Sequence, residues 1–213
     1  MRVLAAAAIA AVAGFSASAK PLPAPVRAAV VGAHEWHSGC PVTLSQLRLL
    51  TVRYLGFDGR PHNGQLVVNE AAVGPLTKVF ARLYAMGFPI RHMALSDTYG
   101  PAKGQPADGD VTASFECRQA SASPCGGLAN NTTGSWSEHA YGEAVDLNPV
   151  ENPYVGCGMT RDRTALSYLD RSRVRKGMVT PAVVAAFASA GWGWGGSWTG
   201  STKDYMHFST TGH

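Results

Sequence analysis

The chain has 213 residues, of which 46% are hydrophobic and only 15% are charged, and its formal net charge is +4. This composition excludes an intrinsically disordered protein, a coiled coil and a collagen-like repeat, because an apolar chain of low charge can bury a core. The length predicts one domain. The small positive charge comes without a nucleic-acid-binding motif, so we expect no nucleic acid among the partners.

The first residues have the pattern of a secretory signal peptide. Arg2 is followed by the apolar run 3–15 and by small residues up to Ala19, which predicts a signal peptide over residues 1–19. A retained membrane anchor is the alternative, but it needs about 20 apolar residues. We therefore expect a secreted or periplasmic protein of the cell-wall space without stable membrane insertion. After cleavage, residues 20–39 are predicted to form an extended leader and residues 40–213 the folded domain.

The four cysteines all lie in the exported part, at positions 40, 117, 125 and 157. An oxidising compartment favours two disulfides, and four cysteines allow three pairings. Their spacing is not that of a paired C-x-x-C zinc ribbon. The favoured pairing joins Cys117 to Cys125, which closes a short loop, and Cys40 to Cys157.

Hydrophobic periodicity and capping patterns predict a chain of mixed helices and strands. The sequence Thr43-Leu44-Ser45-Gln46 has the capping-box pattern, so we expect a short helix from Thr43. Apolar residues at helical spacing after Pro75 predict a helix that ends at Gly87, and Thr180-Pro181 predicts another that runs to Ala190. β-like runs on both sides of Asn-Gly and Asp-Gly pairs predict a hairpin with a long loop. The predicted strands are 51–55, 65–68 and 205–209.

One segment concentrates residues that can carry chemistry, the run 137–148. If residues 144–148 form a strand, Val145 and Leu147 face one side and Asp146 faces the other. Gly142 permits a bend that brings His139 back beside Asp146. A histidine and an aspartate on one wall provide two of the three protein ligands of a catalytic zinc site.

The third ligand is expected from the tail, where His207 follows Asp204. Alternation along a strand would turn Met206 and Phe208 inward and His207 outward. Asp204 can then accept the proton of an attacking water, provided that the chain turns between Asp204 and His207.

Taken singly, each of these residues has a structural alternative, such as a loop or core histidine or a solvated acid. The other histidines lack a comparable context, and the pair His34 and His37 near Cys40 is interpreted as a surface pair. Trp192, Trp194 and Trp198 are candidates either for the cleft wall or for the core.

Two motifs together resemble a known family. The pattern S-x-H-x-x-G-x-A-x-D at 137–146 and D-x-x-H at 204–207 are similar to the zinc-dependent D-alanyl-D-alanine carboxypeptidases and dipeptidases, and to the L-alanyl-D-glutamate endopeptidases of phage. The stretch 112–118, which ends in Phe-Glu-Cys-Arg, resembles the family's Phe-Asn-Cys-Arg. Departures at Val111 and at Ala113-Ser114 concern the substrate loop. The aspartate at 204, where dipeptidases have glutamate, favours the carboxypeptidase and endopeptidase branches.

The resemblance implies a fold, a cofactor and a reaction. The fold is a single α+β domain, a small antiparallel sheet flanked by helices, with zinc in a cleft over the sheet. Zinc is bound by His139, Asp146 and His207, with Asp204 as general base. Arg118 engages the substrate and the developing oxyanion, and Ser137 supports substrate binding.

The implied protein is a monomeric zinc metallopeptidase that cleaves peptidoglycan stem peptides, most simply as a D-alanyl-D-alanine carboxypeptidase. An L-alanyl-D-glutamate endopeptidase is one alternative. A non-catalytic zinc-containing module that binds cell wall, of the kind that the related hedgehog signalling domain illustrates, is another. A disulfide-stapled adhesion module without a functional metal is a third.

Overall fold

The computed structural model describes residues 14–95, 109–121 and 132–213. The helices are α1 (Ala24–Gly32), α2 (Glu70–Ala85), α3 (Glu138–Tyr141) and α4 (Pro181–Ala188), and 3-10 turns span Leu44–Gln46, Arg163–Tyr168 and Gly195–Ser197. The strands are β1 (Ala17–Pro21), β2 (Leu47–Gly56), β3 (Pro61–Asn69), β4 (Pro89–Ile90), β5 (His92–Met93), β6 (Val111–Thr112), β7 (Gln119–Ser121), β8 (Thr132–Trp136), β9 (Ala144–Asp146), β10 (Tyr154–Val155), β11 (Gly193–Trp194), β12 (Lys203–Asp204) and β13 (His207–Ser209). Short, mainly antiparallel sheets flanked by helices confirm the α+β class.

The hairpin β2–β3 forms the largest sheet. Its register runs from Leu55 opposite Pro61 to Leu47 opposite Asn69, so the predicted hairpin is confirmed and extends further at both ends. β1 pairs with β2 in antiparallel fashion, and β4 pairs in parallel with the far end of β2. The strands continue towards each other through the Asn-Gly region, so the connecting loop is shorter than predicted.

Helix α2 packs the hairpin into the main apolar cluster. The predicted face is confirmed, because Leu76, Val79, Phe80 and Leu83 are all buried. The helix begins at Glu70, upstream of Pro75, because the Asn69 side chain caps it by accepting a hydrogen bond from Ala71 N at 3.0 Å. The cap, rather than the proline, therefore sets the start of α2.

Helix α4 connects the core to the strand that carries His207. It begins at Pro181, as predicted, and ends at Ala188. Phe187 of this helix stacks on Phe208 of β13 with ring centroids 3.8 Å apart. The orientation of β13 is thus fixed by an aromatic pair in the core.

A three-stranded antiparallel sheet in the order β11-β13-β9 positions the candidate ligands. His207 lies directly opposite Asp146 in the register of β13 and β9. Val145 and Phe208, opposite each other in the same ladder, are fully buried. Because side chains alternate along a strand, Asp146 and His207 project from the other face of the sheet.

The terminal strand is shorter than predicted, since it begins at His207 instead of Tyr205. The chain bends at Tyr205 and Met206, between β12 and β13. The bend breaks the alternation expected for Met206, which lines the cleft, whereas Phe208 packs inward as predicted. It also provides the turn that the assignment of Asp204 requires.

The helix predicted from Thr43 is wrong beyond its first turn. Gln46 Oε1 accepts a hydrogen bond from Thr43 N at 2.8 Å, as a capping box requires, but the chain enters β2 at Leu47. Leu47 and Leu49 pack in one apolar cluster and Leu50 and Val52 in the other, so the strand buries more apolar surface than a continued helix would.

The extended leader predicted over residues 20–39 is also wrong, because α1 occupies Ala24–Gly32. Val26 and Val30 lie one helical turn apart and pack in the second cluster with Leu22 and Val42. Pro25 is tolerated because it lies in the first turn of the helix, where no intrahelical N–H donor is needed.

The predicted cysteine pairing is wrong. Cys40 is bonded to Cys117, with their Cα atoms 5.8 Å apart. The two cysteines meet because Cys117 N donates a hydrogen bond to Glu35 O at 2.9 Å, which lays the segment after α1 beside residue 117. Cys157 is also disulfide-bonded, and Cys125 lies outside the described residues.

The predicted signal peptide falls mostly outside the described residues and stays a prediction. Near the start of the described part, the Phe15 ring lies 5.9 Å from that of Tyr84, and β1 spans the predicted cleavage point after Ala19. Within the described ranges, no helix has the length and apolar character needed to cross a membrane.

Candidate active site

A short capped helix positions the first candidate ligand, His139. Ser137 caps α3 by accepting a hydrogen bond from His139 N at 3.3 Å, and Gly142 ends the helix with φ of 69°. A Cβ at Gly142 would lie 2.6 Å from Asn69 N, so only glycine fits this approach to the hairpin. The turn leads directly into β9, and His139, which is 4% exposed, is thereby held beside Asp146.

Three side-chain atoms from His139, Asp146 and His207 form an equilateral triangle. His139 Nε2 and His207 Nδ1 each lie 3.2 Å from Asp146 Oδ1, and the two nitrogens lie 3.2 Å from each other. Ligand atoms about 2.0–2.1 Å from a tetrahedral metal ion are about 3.3 Å apart. The triangle therefore has the dimensions of three corners of such a site.

Each histidine uses the ring nitrogen that lies outside the triangle to donate a hydrogen bond. In the neutral rings, the nitrogens within the triangle, His139 Nε2 and His207 Nδ1, therefore carry no proton. His139 Nδ1 donates to Ser114 O at 2.5 Å, and His207 Nε2 donates to His213 O at 3.1 Å, since a carbonyl oxygen can only accept. The lone pairs of His139 Nε2 and His207 Nδ1 then face each other and Asp146. Such an arrangement is repulsive unless a proton or a cation lies among the three atoms.

The electrostatics of the site also favour a cation. Burial opposes ionisation of Asp146, but the neighbouring His139 and His207 outweigh it and hold the pKa of Asp146 far below its usual range. Burial lowers the pKa of His207, whereas its hydrogen bond to Asp146 raises it, and the net shift is upward. The donor set of two imidazole nitrogens and one carboxylate oxygen fits a divalent metal ion such as zinc.

Asp204 lies in the same cleft on a different sheet. β12 pairs with β10, which places Asp204 opposite Tyr154. A Cβ at Gly195 would lie 2.6 Å from Asp204 O, so a glycine at 195 allows this close approach. Asp204 Oδ1 is buried and has no hydrogen-bond partner among the described residues. Burial, followed by the negative charge of Asp146, raises the pKa of Asp204 to about 7.

A cleft of about 1010 Å³ contains every predicted site residue. Arg118 and Ser137 line it together with the triangle and Asp204. Arg118 is the residue after the disulfide-bonded Cys117, its main-chain carbonyl accepts from Ser137 N at 3.1 Å, and its Nε donates to Glu116 Oε2 at 2.8 Å. The structure thus places a partly exposed guanidinium on the wall of the cleft.

The three tryptophans separate into core and cleft residues. Trp192 is 3% exposed and contacts Phe187, and Trp194 stacks on Phe208, so both belong to the core. Trp198 lines the cleft, and its ring lies 6.0 Å from that of His207.

Two contributors to the site were not found by sequence reasoning. Ser114 and His213 act through main-chain carbonyls, which carry no residue-specific signal. His213 was set aside for lack of a motif, yet its ring also stacks on Trp198 and lines the cleft. The sequence near Cys40 is not a second metal site in the oxidised chain, since the sulfurs of Cys40 and Cys117, which lie near His37, are bonded to each other.

A second group of buried charges consists of Arg91, Asp110 and Glu151. Arg91 Nε donates to Asp110 Oδ2 at 3.2 Å and Arg91 Nη2 to Glu151 Oε1 at 2.6 Å, with the two acid side chains 3% and 0% exposed. Burial, followed by Glu151, raises the pKa of Asp110 to about 8, which favours the protonated form of this carboxyl at neutral pH. Asn148 joins this group to β9, because its Oδ1 accepts from Arg91 N at 2.9 Å.

Comparison with known proteins gives one match. Residues 130–210 match the model of a family of peptidases. The family is described as D-alanyl-D-alanine carboxypeptidase, and the match spans His139, Asp146, Asp204 and His207. The match agrees with the resemblance seen in the motifs, and it covers the part of the chain from just before His139 to just after His207. No curated protein and no solved structure matches the chain.

Proposed function

We propose that the protein is an exported zinc metallopeptidase that hydrolyses peptidoglycan stem peptides, with D-alanyl-D-alanine carboxypeptidase activity as the favoured reaction. The observation that carries the proposal is the 3.2 Å triangle of His139, Asp146 and His207, in which neutral imidazoles present lone pairs towards a carboxylate. Three protein ligands with a fourth position open are typical of catalytic zinc, whereas structural zinc is closed by four.

Zinc at this position would polarise the scissile carbonyl and lower the pKa of a water molecule. The side chains then have distinct tasks. Asp204, whose Oδ1 lies buried in the same cleft without a hydrogen-bond partner among the described residues, is assigned to accept the proton of the attacking water and to pass it to the leaving amine. The burial of Asp204 favours this proton transfer because the carboxylate is poorly solvated.

Arg118 is assigned to the charge that develops on the carbonyl oxygen. A fixed cation stabilises that charge more in the transition state than in the ground state. The disulfide at Cys117 and the Ser137 N–H bond to its carbonyl hold the Arg118 backbone at the cleft wall. Ser137, which caps α3 beneath His139, is assigned to supporting the substrate at the same wall.

The size of the cleft favours one alternative, cleavage between L-alanine and D-glutamate within the stem. About 1010 Å³ accommodates several residues of a stem peptide, not only its terminal D-alanine. A non-catalytic zinc module is less well supported, because it would have no use for the buried, partnerless oxygen of Asp204. Export is supported by the Cys40–Cys117 disulfide, which is typical of oxidising compartments.

The test is mass spectrometry of a pentapeptide-stem muropeptide incubated with the mature protein. We expect loss of one D-alanine with zinc, no product after chelation, and recovery when zinc is returned. Release of a larger fragment would instead assign the endopeptidase reaction. Stoichiometric zinc binding without any product would overturn the peptidase and favour the binding module.

Two matched variants test the proton transfer. Asp204→Asn should keep zinc and lose about 10²- to 10⁴-fold in kcat, the usual contribution of a general base. Asp162→Asn, which changes an exposed acid on the same cleft, should retain activity. Near-normal turnover by Asp204→Asn would remove Asp204 from the mechanism.

A further inference from the structure

The chain after β13 folds back onto the candidate metal ligands in a tight turn, residues 209–213. Gly212 N donates to Ser209 Oγ at 2.9 Å, and Ser209 Oγ donates in turn to His213 O at 3.0 Å. Ser209 is fully buried. The hydroxyl of one buried serine therefore fixes both the turn and the carbonyl group at its end.

That carbonyl faces the outer nitrogen of His207. His213 O lies 3.1 Å from His207 Nε2, and because a carbonyl only accepts, Nε2 must carry the hydrogen. Nδ1 is then the unprotonated nitrogen of the neutral ring, and it is the atom in the triangle with Asp146 and His139. Without the carbonyl, the neutral imidazole is free to place its proton on Nδ1 and block the site.

The turn is held from outside as well. Trp198 Nε1 donates to Gly212 O, and the His213 ring stacks on Trp198 with an interplanar angle of 17°. On the other side, a Cβ at Gly193 would lie 2.6 Å from Gly212 Cα, so β11 and the turn are in direct backbone contact. The position of His213 O is thus set by packing and by hydrogen bonds together.

We propose that the turn 209–213 is a positioning element for His207, in which His213 O, a main-chain oxygen that can only accept a hydrogen bond, selects the tautomer that can bind metal. The inference rests on the proposed function, since it takes the triangle to be the zinc site. His213 is a positioning residue that acts through its backbone, and its ring is not a ligand. Outer hydrogen-bond partners of metal-bound histidines typically contribute about 10- to 100-fold to metal affinity.

The experiment separates the carbonyl of His213 from its ring. A chain ending at Gly212 loses the carbonyl, whereas His213→Ala keeps it and loses only the ring. Gly193→Ala displaces the turn at full chain length. Zinc affinity is measured by competition with a chromophoric chelator. Long-range 1H–15N NMR of the metal-free protein, at a pH where the imidazole is neutral, reports the tautomer of His207 directly.

We expect the chain ending at Gly212 to bind zinc about 10- to 100-fold more weakly and to show a mixed tautomer of His207. Gly193→Ala should shift both readouts in the same direction. His213→Ala keeps the oxygen and its hydrogen bond from Ser209 but loses the stack on Trp198, so it should lose clearly less than the shortened chain in both readouts. Unchanged zinc affinity in the shortened chain, or an equal loss in His213→Ala, would overturn the inference. A wild-type chain that fails to bind zinc would overturn it together with the proposed function. Zinc binding that depends on His213 O without peptide cleavage would overturn the proposed function alone.

Discussion

Two groups of carboxylates, one at Asp110 and Glu151 and the other at Asp146, have their charge balanced differently. Asp110 and Glu151 share Arg91, and Asp110 takes up a proton, so their charge is balanced from within the protein. Asp146 faces two histidines whose available nitrogens, in the neutral rings, are acceptors. The first group thus contains a permanent cation, Arg91, whereas the ion-pair partners of Asp146 among the described residues are two histidines, which are charged only when protonated. The kind of partner, more than the number of acids, distinguishes the two groups.

The largest expected effect comes from removing the carboxylate of Asp146. Loss of a hydrogen-bond partner of a metal-bound histidine weakens metal binding by up to about 100-fold. Asp146→Asn should weaken zinc binding by more than that, because it removes a ligand itself. Peptidase activity should disappear with the metal. Zinc content after dialysis and turnover of a pentapeptide substrate measure the two effects. Glu138→Gln removes a charge from the same cleft without touching the triangle and should keep both.

Removing Arg91, the permanent cation of the other group, should affect stability instead. Arg91→Met leaves the buried acids without their cation, and breaking a buried pair costs about 3–5 kcal/mol. Urea denaturation of the zinc-free protein measures the loss. Arg48→Met, which breaks the more exposed ion pair with Glu70, should cost about 1 kcal/mol or less. Equal losses in the two variants would show that Arg91 does not neutralise a buried charge.

A smaller change should misplace the general base without removing it. In Gly195→Ala the new methyl group would meet Asp204 O at 2.6 Å, so the Asp204 backbone must move. We expect zinc binding to persist and kcat to fall about 10- to 100-fold, since an error of about 1 Å in a reacting group has that effect. Gly74→Ala, on α2 with open space around it, is the control. If Gly195→Ala lost bound zinc as well as activity, the substitution would have disturbed the metal ligands and not only Asp204.

The smallest effect is a difference in the pH dependence of stability. The pKa of Asp110 is raised to about 8 in the folded chain, so the folded state holds this proton between about pH 4 and pH 8 while the unfolded state releases it. Stability from this group is complete below pH 4 and is lost as the pH rises towards 8. Asp110→Asn mimics the protonated form and removes that loss.

Unfolding free energies from pH 4 to 8 should therefore fall more steeply for wild type than for Asp110→Asn. The divergence should be at least about 1.4 kcal/mol, which corresponds to one pKa unit. Parallel curves would mean that Asp110 is ionised in the folded chain. The titration of Asp204 is common to both proteins and cancels in the comparison.

The sequence predicted the candidate site better than its surroundings. His139, Asp146 and His207, the predicted ligands, do lie together in the structure, because strand alternation and a glycine bend act within a few residues. The hairpin, α2 and α4 were found because hydrophobic periodicity, turn glycines and a proline at the start of a helix are local signals.

Features that depend on distant segments were missed. The pairing of Cys40 with Cys117 depends on Glu35 O meeting Cys117 N, and no local pattern encodes that contact. The cluster of Arg91, Asp110 and Glu151 assembles from three separate stretches, each of which resembles ordinary surface charge. The helix predicted from Thr43 failed because sheet pairing overrode a correct capping signal.

The cleavage point predicted after Ala19 falls within strand β1, at the edge of the main sheet. Residues 17–21 of β1 pair with residues 48–52 of β2, and removal of residues 1–19 would leave only Lys20 and Pro21 in that ladder. The open edge of the sheet would then move inward, from the largely exposed β1 to β2, where Leu50 and Val52 are fully buried. An uncovered apolar strand readily accepts an extended peptide from another molecule. If the chain is cut after Ala19, residues 50–52 of β2 would lose their pairing partners in β1.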